Sequence, residues 1–161
     1  MNIVIANRQQ TRKIDSRLLK EIMAALLADL KIGDAELGVN LVTSREMTLV
    51  NETFLRHEGS TDVITFDYLS AERGVRSAES NLHGELFVCV EEAVLQAKKF
   101  KTTWQSETVR YLVHGVLHLL GHDDALPAAR RRMKRREIRL LAGLSRKFNL
   151  AKIGVASNLC G

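Results

Sequence analysis

The sequence has few cysteines and no long apolar run. Its two cysteines, Cys89 and Cys160, lie far apart along the chain, and neither belongs to a C-x-x-C pair. A structural disulfide is therefore not expected, and a reducing compartment fits the composition. No stretch reaches the roughly 18 apolar residues that a membrane helix needs. The N-terminal segment MNIVIANRQQTRK also lacks the basic-then-apolar order of a signal peptide. We expect a cytoplasmic protein without a membrane span.

The chain also lacks internal repeats, low-complexity segments and linkers. Its 161 residues are enough for one sizeable core, and its charged fraction of 27% and hydrophobic fraction of 45% are typical of soluble globular proteins. We therefore expect a single domain over residues 1–161. The net charge of +5 and the pI of about 9.5 favour an anionic partner such as nucleic acid.

The hydrophobic pattern predicts a mixture of strands and helices. Asp15, Thr43 and either Thr103 or Ser106 should cap helices, and Glu46, three residues after Thr43, fits a capping box. The order β-α-β-α-β-β-α-α-α predicts an α/β fold, with one mixed four-stranded sheet and helices packed on it. The tail after about residue 144 has no predicted structure. The predicted strands cover residues 2–6, 36–42, 61–69 and 86–90, and the first and last helices cover residues 16–31 and 127 to about 141 or 143.

The segment YLVHGVLHLLGHDD, residues 111–124, contains a candidate metal site. His114 and His118 stand four apart in an apolar run that predicts a buried helix, so both imidazoles share one helix face. Gly121 allows the left-handed turn that commonly ends a helix. The chain can then fold back and supply a third ligand from His122, Asp123 or Asp124. This set suits one zinc ion per chain, with a fourth position left for water.

A purely structural role for the two histidines stays open. An isolated H-x3-H on a helix is more often a pair of core histidines whose nitrogens bond to backbone carbonyls. Here Gly121 and three further potential ligands follow at once, which favours a metal site on the buried helix and the turn after it.

A strongly basic segment follows the candidate metal site. Six of the seven residues from Arg130 to Arg136 are basic, which is typical either of a solvated helix face or of a phosphate-binding stripe. Both interpretations stay open. Under the second, the candidate RNA-binding residues are Arg130, Arg131, Arg132, Lys134 and Arg135.

The sequence resembles a known family. HGVLHLLGHDD, residues 114–124, resembles the H-G-x-L-H-L-x-G-Y-D-H signature of the YbeY family, metal-dependent endoribonucleases of ribosomal RNA maturation. TDVITF, residues 61–66, resembles its T-D-V-L-S-F strand, and GELFVCVEEA, residues 84–93, resembles its G-D-I-x-I-S segment. Met133 and Glu137 match the M-x3-E of its last helix.

The resemblance implies a fold, an activity and partners. It implies a compact α/β fold with one catalytic zinc and cleavage of single-stranded RNA. It also implies 16S ribosomal RNA 3′-end processing, ribosome quality control, and ribosomal RNA and the small ribosomal subunit as partners.

The sequence departs from the family pattern at two places. The third histidine of the signature falls at Asp124, and its tyrosine falls at His122. By register Asp124 is the expected third ligand, with His122 as the alternative, since zinc accepts either ligand type. The family also has an arginine six residues before Thr61, which falls at Leu55. The neighbouring Arg56 is the candidate substitute, although one residue on a helix rotates a side chain by about 100°.

Three functions are compatible with these observations. The first is a single-zinc endoribonuclease, in which Arg56, His122 and Asp123 are candidate catalytic residues. The second is a metal-dependent hydrolase of another substrate, such as peptide. Gly115 argues against peptide, because the related H-E-x-x-H proteases have their general base at that position. The third is a ribosome-associated RNA-binding protein with a structural zinc.

Overall fold

The strands and helices follow one another in the predicted order. The structure is a computed structural model and describes residues 1–55, 61–69, 81–122 and 124–154. A π-helical turn lies at Asn51–Leu55, and a short 3-10 helix lies at Leu150–Ile153. The strands are β1 (Asn2–Asn7), β2 (Asp34–Val42), β3 (Val63–Asp67) and β4 (Asn81–Cys89). The helices are α1 (Ser16–Asp29), α2 (Ser44–Val50), α3 (Val90–Phe100), α4 (Trp104–Leu119) and α5 (Pro127–Lys147).

The four strands form one mixed sheet, as predicted. Their order is β1-β2-β4-β3. Strand β2 pairs in parallel with β1 and β4, whereas β3 pairs antiparallel with β4, so β3 is an edge strand. The fold is therefore a single α/β sheet with helices packed on it. Within the described ranges, no helix is long and apolar enough to cross a membrane.

The main core lies between one face of the sheet and the helices α1 and α4. Leu37, Val39 and Leu41 alternate along β2 and are buried there, as the period of two requires. A smaller apolar cluster on the opposite face contains Met47 of α2 and Ile64 of β3. Helix α4 is thus held against the sheet, which fixes the position of the two histidines that it carries.

Side chains cap three helices where the sequence predicts it. Asp15 accepts a hydrogen bond from the backbone N–H of Leu18 (3.1 Å), and Thr43 accepts one from Glu46 (3.1 Å). Thr103, rather than Ser106, caps α4. The Glu46 carboxylate does not complete a capping box; it accepts from the Arg8 guanidinium at 2.7 Å.

The largest differences from the predicted bounds lie at the start of β4, at the end of α5 and in the tail. Strand β4 begins at Asn81, because its first half, residues 81–85, pairs with residues 34–38 at the start of β2. Helix α5 continues to Lys147, and Leu144 in its last turns is buried. The described part of the tail, residues 148–154, packs on the rest of the fold: Ile153 is buried, and its carbonyl accepts from the Asp15 N–H at 2.8 Å.

Helix α4 lies close against the sheet at Gly115. A Cβ atom there would lie 2.9 Å from Leu86 Cδ2 and 3.2 Å from Val63 Cγ2. We expect Gly115→Ala to lower the free energy of unfolding by about 1–3 kcal/mol through overpacking, although alanine is the better helix former. Urea unfolding of the metal-free protein measures this change.

Gly143 on α5 provides the matched control for Gly115→Ala. A Cβ atom at Gly143 would meet nothing within 4 Å. Gly143→Ala should therefore raise the free energy of unfolding by about 1 kcal/mol through helix propensity alone. If both variants are stabilised equally, the close approach of α4 to the sheet is wrong.

Candidate metal centre

Helix α4 presents its two histidines beside the sheet. Gly115 and Leu119 face the strands, since a Cβ at Gly115 would meet Leu86 and a Cβ at Gly84 would meet Leu119. His114 and His118 each precede one of these residues, so their side chains lie about 100° around the helix. Both side chains are partly exposed, at 26% and 28%. The histidines are therefore fixed by a buried helix but still open to solvent.

The turn after α4 brings a carboxylate back to the histidines. Gly121 has φ 94°, the left-handed conformation predicted for it. Its N–H donates to the His118 carbonyl (2.9 Å), and the His122 N–H donates to the Leu117 carbonyl (3.0 Å). These two bonds form a Schellman motif, which ends the helix and reverses the chain. Asp124 then lies beside the imidazoles.

Three ligand atoms converge at this point. The His114 and His118 Nε2 atoms are 3.0 Å apart, and Asp124 Oδ2 lies 3.8 Å from the first and 3.6 Å from the second. Tetrahedral zinc with ligands at about 2.0–2.1 Å requires ligand atoms about 3.3 Å apart. His114, His118 and Asp124 could therefore hold a metal ion. The Asp124 side chain is 45% exposed, so this side of the site is open.

Hydrogen bonds on the far side of each imidazole determine which nitrogen faces the site. His118 Nδ1 lies 3.1 Å from the His122 carbonyl, which can only accept, so this Nδ1 carries the proton. His114 Nδ1 lies 2.8 Å from the Glu137 carboxylate, which assigns its proton in the same way. Two neutral imidazoles would then direct Nε2 lone pairs at each other. A cation between them resolves that repulsion, so the residues present fit a bound metal.

The sequence analysis matched Glu137 to the M-x3-E of the family's last helix but gave it no role at the site, where it contacts a candidate ligand. It is 2% exposed, and besides His114 it contacts Arg110 Nη1 (3.3 Å) and Lys134 Nζ (3.5 Å). Burial acts to raise the pKa of Glu137. The hydrogen bond from His114, the charges of Lys134 and His114, and the hydrogen bond from Arg110 outweigh burial and hold the pKa of Glu137 below its ordinary value. A signal was present in the sequence: Glu137 is the single acid of a basic helix and falls on its apolar side with Met133.

A further ion pair holds Arg110 in place. Its Nη2 donates to Glu107 Oε2 at 2.6 Å, and Glu107 is only 6% exposed. Thr102 Oγ1 donates to the other oxygen of Glu107 at 2.9 Å. Thr102, Glu107, Arg110, Glu137 and His114 therefore form one chain of polar contacts that ends at the candidate metal ligand.

The other predicted site residues lie at different places. His122 Nε2 accepts from Arg136 Nη1 at 2.8 Å, so this nitrogen is directed at α5 rather than at the three ligand atoms. Burial, together with the charges of Arg136 and His118, lowers the pKa of His122. Arg56 and Asp123 lie outside the described residues.

The structure separates the predicted RNA-binding residues into two groups. Arg130 Nε donates to the Asp124 carbonyl (3.0 Å), which holds the turn at the site, and Lys134 contacts Glu137. Arg131, Arg132 and Arg135 are exposed, and none has a hydrogen-bonding or ionic partner among the described residues. The basic segment is therefore not one uniform stripe.

Comparisons with known proteins point to one family. The family model described as Endoribonuclease YbeY matches residues 4–145. The Endoribonuclease YbeY of Chlorobium luteolum is 33% identical over 135 residues, covering 84% of this chain and 93% of the relative. That of Syntrophotalea carbinolica is 32% identical over 148 residues, covering 91% and 97%. The solution structure of TM1509 from Thermotoga maritima has a TM-score of 0.60 and 26% identity, covering 91% of this chain and 93% of that one.

Proposed function

The chain belongs to the YbeY family of metal-dependent endoribonucleases, and we propose that it is a zinc-dependent, single-strand-specific enzyme of 16S ribosomal RNA 3′-end maturation and ribosome quality control. The observation that carries the metal dependence is the pair of opposed Nε2 atoms of His114 and His118, with Asp124 Oδ2 beside them. We further propose that residues 1–161 act as one domain whose partners are ribosomal RNA and the small ribosomal subunit.

Zinc fits this donor set better than a harder cation does. Two imidazole nitrogens and one carboxylate oxygen match the ligand sets of catalytic zinc sites, which keep a fourth position for water. Magnesium prefers oxygen ligands and octahedral geometry, whereas two of the three candidate ligands among the described residues are imidazole nitrogens. When bound, zinc would polarise a phosphoryl oxygen or lower the pKa of a water molecule toward neutrality.

The other roles at the site are assigned to side chains and backbone groups of the chain. His114, His118 and Asp124 act as ligands, and Glu137 and the His122 carbonyl keep both Nδ1 protons in place. Arg130 holds the backbone of Asp124. The exposed side of Asp124 leaves room for a phosphodiester.

Three further residues are candidates for accepting a proton or contacting the phosphate. His122 and Asp123 are the candidate bases, and Arg56 is the candidate for contacting the phosphate. For His122 to accept a proton on Nε2, the bond from Arg136 must break, which makes Asp123 the first variant to examine.

RNA cleavage by the purified protein tests this proposal. With zinc present, wild type should cut a single-stranded RNA and leave the same sequence intact when it is annealed to its complement. His114→Ala should lower the cleavage rate by about 100-fold or more, since a metal contributes several kcal/mol to the transition state.

His83→Ala is the matched control for His114→Ala. His83 lies on β4 and packs against Tyr68, outside the three-ligand set. We expect His83→Ala to cleave at the wild-type rate. Unchanged cleavage by His114→Ala would overturn the metal mechanism, and tight RNA binding without any cleavage would favour the RNA-binding alternative.

A further inference from the structure

Four arginines of α5 lie on the side of the helix that faces away from the core. Met133, Glu137 and Leu144 are its buried residues and define the inward direction. At about 100° per residue, six positions of α5 fall within about 40° of the opposite direction, and four of them are arginines. We name this set the outer arginines: Arg131, Arg135, Arg139 and Arg146. All four are exposed.

The outer arginines carry charges that nothing described in the structure neutralises. None of them has a hydrogen-bonding or ionic partner among the residues that the structure describes. Glu137 is the single acidic residue of α5, and it is buried on the other side against His114. From Arg131 to Arg146 the helix rises about 22 Å. The outer arginines therefore form a strip along α5 that carries positive charge and no negative charge.

A crevice at one end of this strip is suited to an anion. It has a volume of about 360 Å³ and lies between the end of α1 and α5, with Arg139, Arg146 and Lys147 in its lining. Asp29 also lines it, but its carboxylate is paired with Lys147 at 2.7 Å. The two arginines therefore remain available, and a phosphate group placed there would meet uncompensated positive charge.

The strip points away from the candidate metal centre. The residues of α5 that contact the centre are Arg130, Lys134, Arg136 and Glu137, through Asp124, His122 and His114. These positions lie on the inward side or its flanks. A phosphate bound by the outer arginines is therefore separated by the width of the helix, about 10 Å, from the bond that is cut.

We propose that the outer arginines bind the phosphodiester backbone of the RNA outside the cleaved segment, as an anchor for a long, structured RNA. This inference rests on the proposed function only in taking RNA as the substrate. Guanidinium groups bind phosphate through paired hydrogen bonds, and a row of them contacts a backbone without reading its sequence. The anchor increases affinity for long RNA and adds little for a short oligonucleotide.

The triple variant Arg131→Gln/Arg135→Gln/Arg139→Gln tests the anchor. Its affinity for a long, structured ribosomal RNA fragment should fall tenfold to a hundredfold at about 0.1 M salt. The slope of log K against log salt should become shallower by about 2–3, because three phosphate contacts are lost. The loss should be at least tenfold larger for the long fragment than for a short single-stranded oligonucleotide.

The matched control removes the same charge elsewhere. Lys98→Gln/Lys99→Gln/Lys101→Gln changes three exposed lysines at the end of α3 and should keep the wild-type affinity and salt slope. An equal loss in this control would overturn the anchor in favour of nonspecific attraction by net charge. An equal loss for the short oligonucleotide would place the outer arginines on the path of the cleaved strand, which also overturns it.

Two further measurements distinguish an RNA anchor from a lipid-binding surface and from a failure of the proposed function. Vesicles containing phosphatidylserine should not displace the long RNA from wild type; if they do, the strip is a lipid-binding surface. If wild type cleaves short RNA but binds long RNA no better than the triple variant does, the anchor alone is wrong. If wild type cleaves no RNA at any length, the proposed function is wrong, whatever the binding data show.

Discussion

His118→Ala is expected to purify without stoichiometric metal, whereas wild type should carry about one zinc per chain. The substitution removes one of three ligand atoms and leaves His114 and Asp124, 3.8 Å apart, as the remaining pair. Losing a direct ligand should weaken binding by more than the 10- to 100-fold that is typical of losing a group hydrogen-bonded to a ligand. Metal per chain, measured by mass spectrometry of the purified protein, checks this expectation.

Two further variants identify the third ligand. Asp124→Ala should lose the metal as His118→Ala does, because Asp124 Oδ2 lies 3.6 Å from His118 Nε2. His122→Ala should keep it, because the His122 carbonyl, which accepts from His118 Nδ1, belongs to the backbone and survives the change. The reverse pattern would make His122 the third ligand and leave Asp124 as a candidate base.

A wild-type protein that binds no zinc, even when zinc is supplied, would contradict the metal centre altogether. The two histidines would then be helix residues that bond to Glu137 and to the His122 carbonyl. A basic RNA-binding protein would become the better account.

The architecture could be predicted where the pattern is local. The alternation of Leu37, Val39 and Leu41 specifies one buried face of β2, and Asp15 and Thr43 cap helices at their predicted positions. The start of β4 could not be predicted, since Asn81 is polar and joins the strand through its pairing with Asp34. Such pairing joins residues that are far apart in sequence, so the pattern of polar and apolar residues within the segment does not reveal it.

The candidate site could be predicted only as far as helical geometry extends. His114 and His118 share a face of any helix, so their proximity follows from spacing. The choice between Asp124 and His122 does not, because both follow Gly121 and only the exact turn decides which side chain returns to α4. Glu137 lies 23 residues from His114 in sequence, and their contact depends on how α5 packs against α4.

The basic segment is a further case in which tertiary packing decides an arrangement that the local sequence does not reveal. Its composition is typical either of a solvated helix face or of one phosphate-binding stripe. The packing of α5 directs Arg130 to the Asp124 carbonyl and leaves Arg131 and Arg135 exposed on the other side. Charge density is visible in a sequence, whereas the direction of each charge depends on which face of the helix is buried.

Glu137→Gln is expected to weaken zinc binding by about 10- to 100-fold, the usual cost of losing a carboxylate behind a histidine ligand. The Glu137 carboxylate can only accept, which keeps the His114 proton on Nδ1 and the lone pair on Nε2. A glutamine amide can also donate, so it tolerates the opposite tautomer, in which Nε2 carries the proton and cannot bind metal. The change also leaves Arg110 with Glu107 as its remaining ion-pair partner among the described residues.

Competition with a chromophoric chelator measures this affinity, and Glu21→Gln is the matched control. Glu21 is exposed on α1 and is not one of the groups around His114. The zinc affinity of the Glu21→Gln variant should therefore equal that of wild type. If Glu137→Gln also binds zinc like wild type, the carboxylate does not select the tautomer of His114, and the chain of contacts from Glu107 through Arg110 only holds α4 against α5. A loss of affinity with an unchanged free energy of unfolding would instead assign Glu137 to the metal centre rather than to the core.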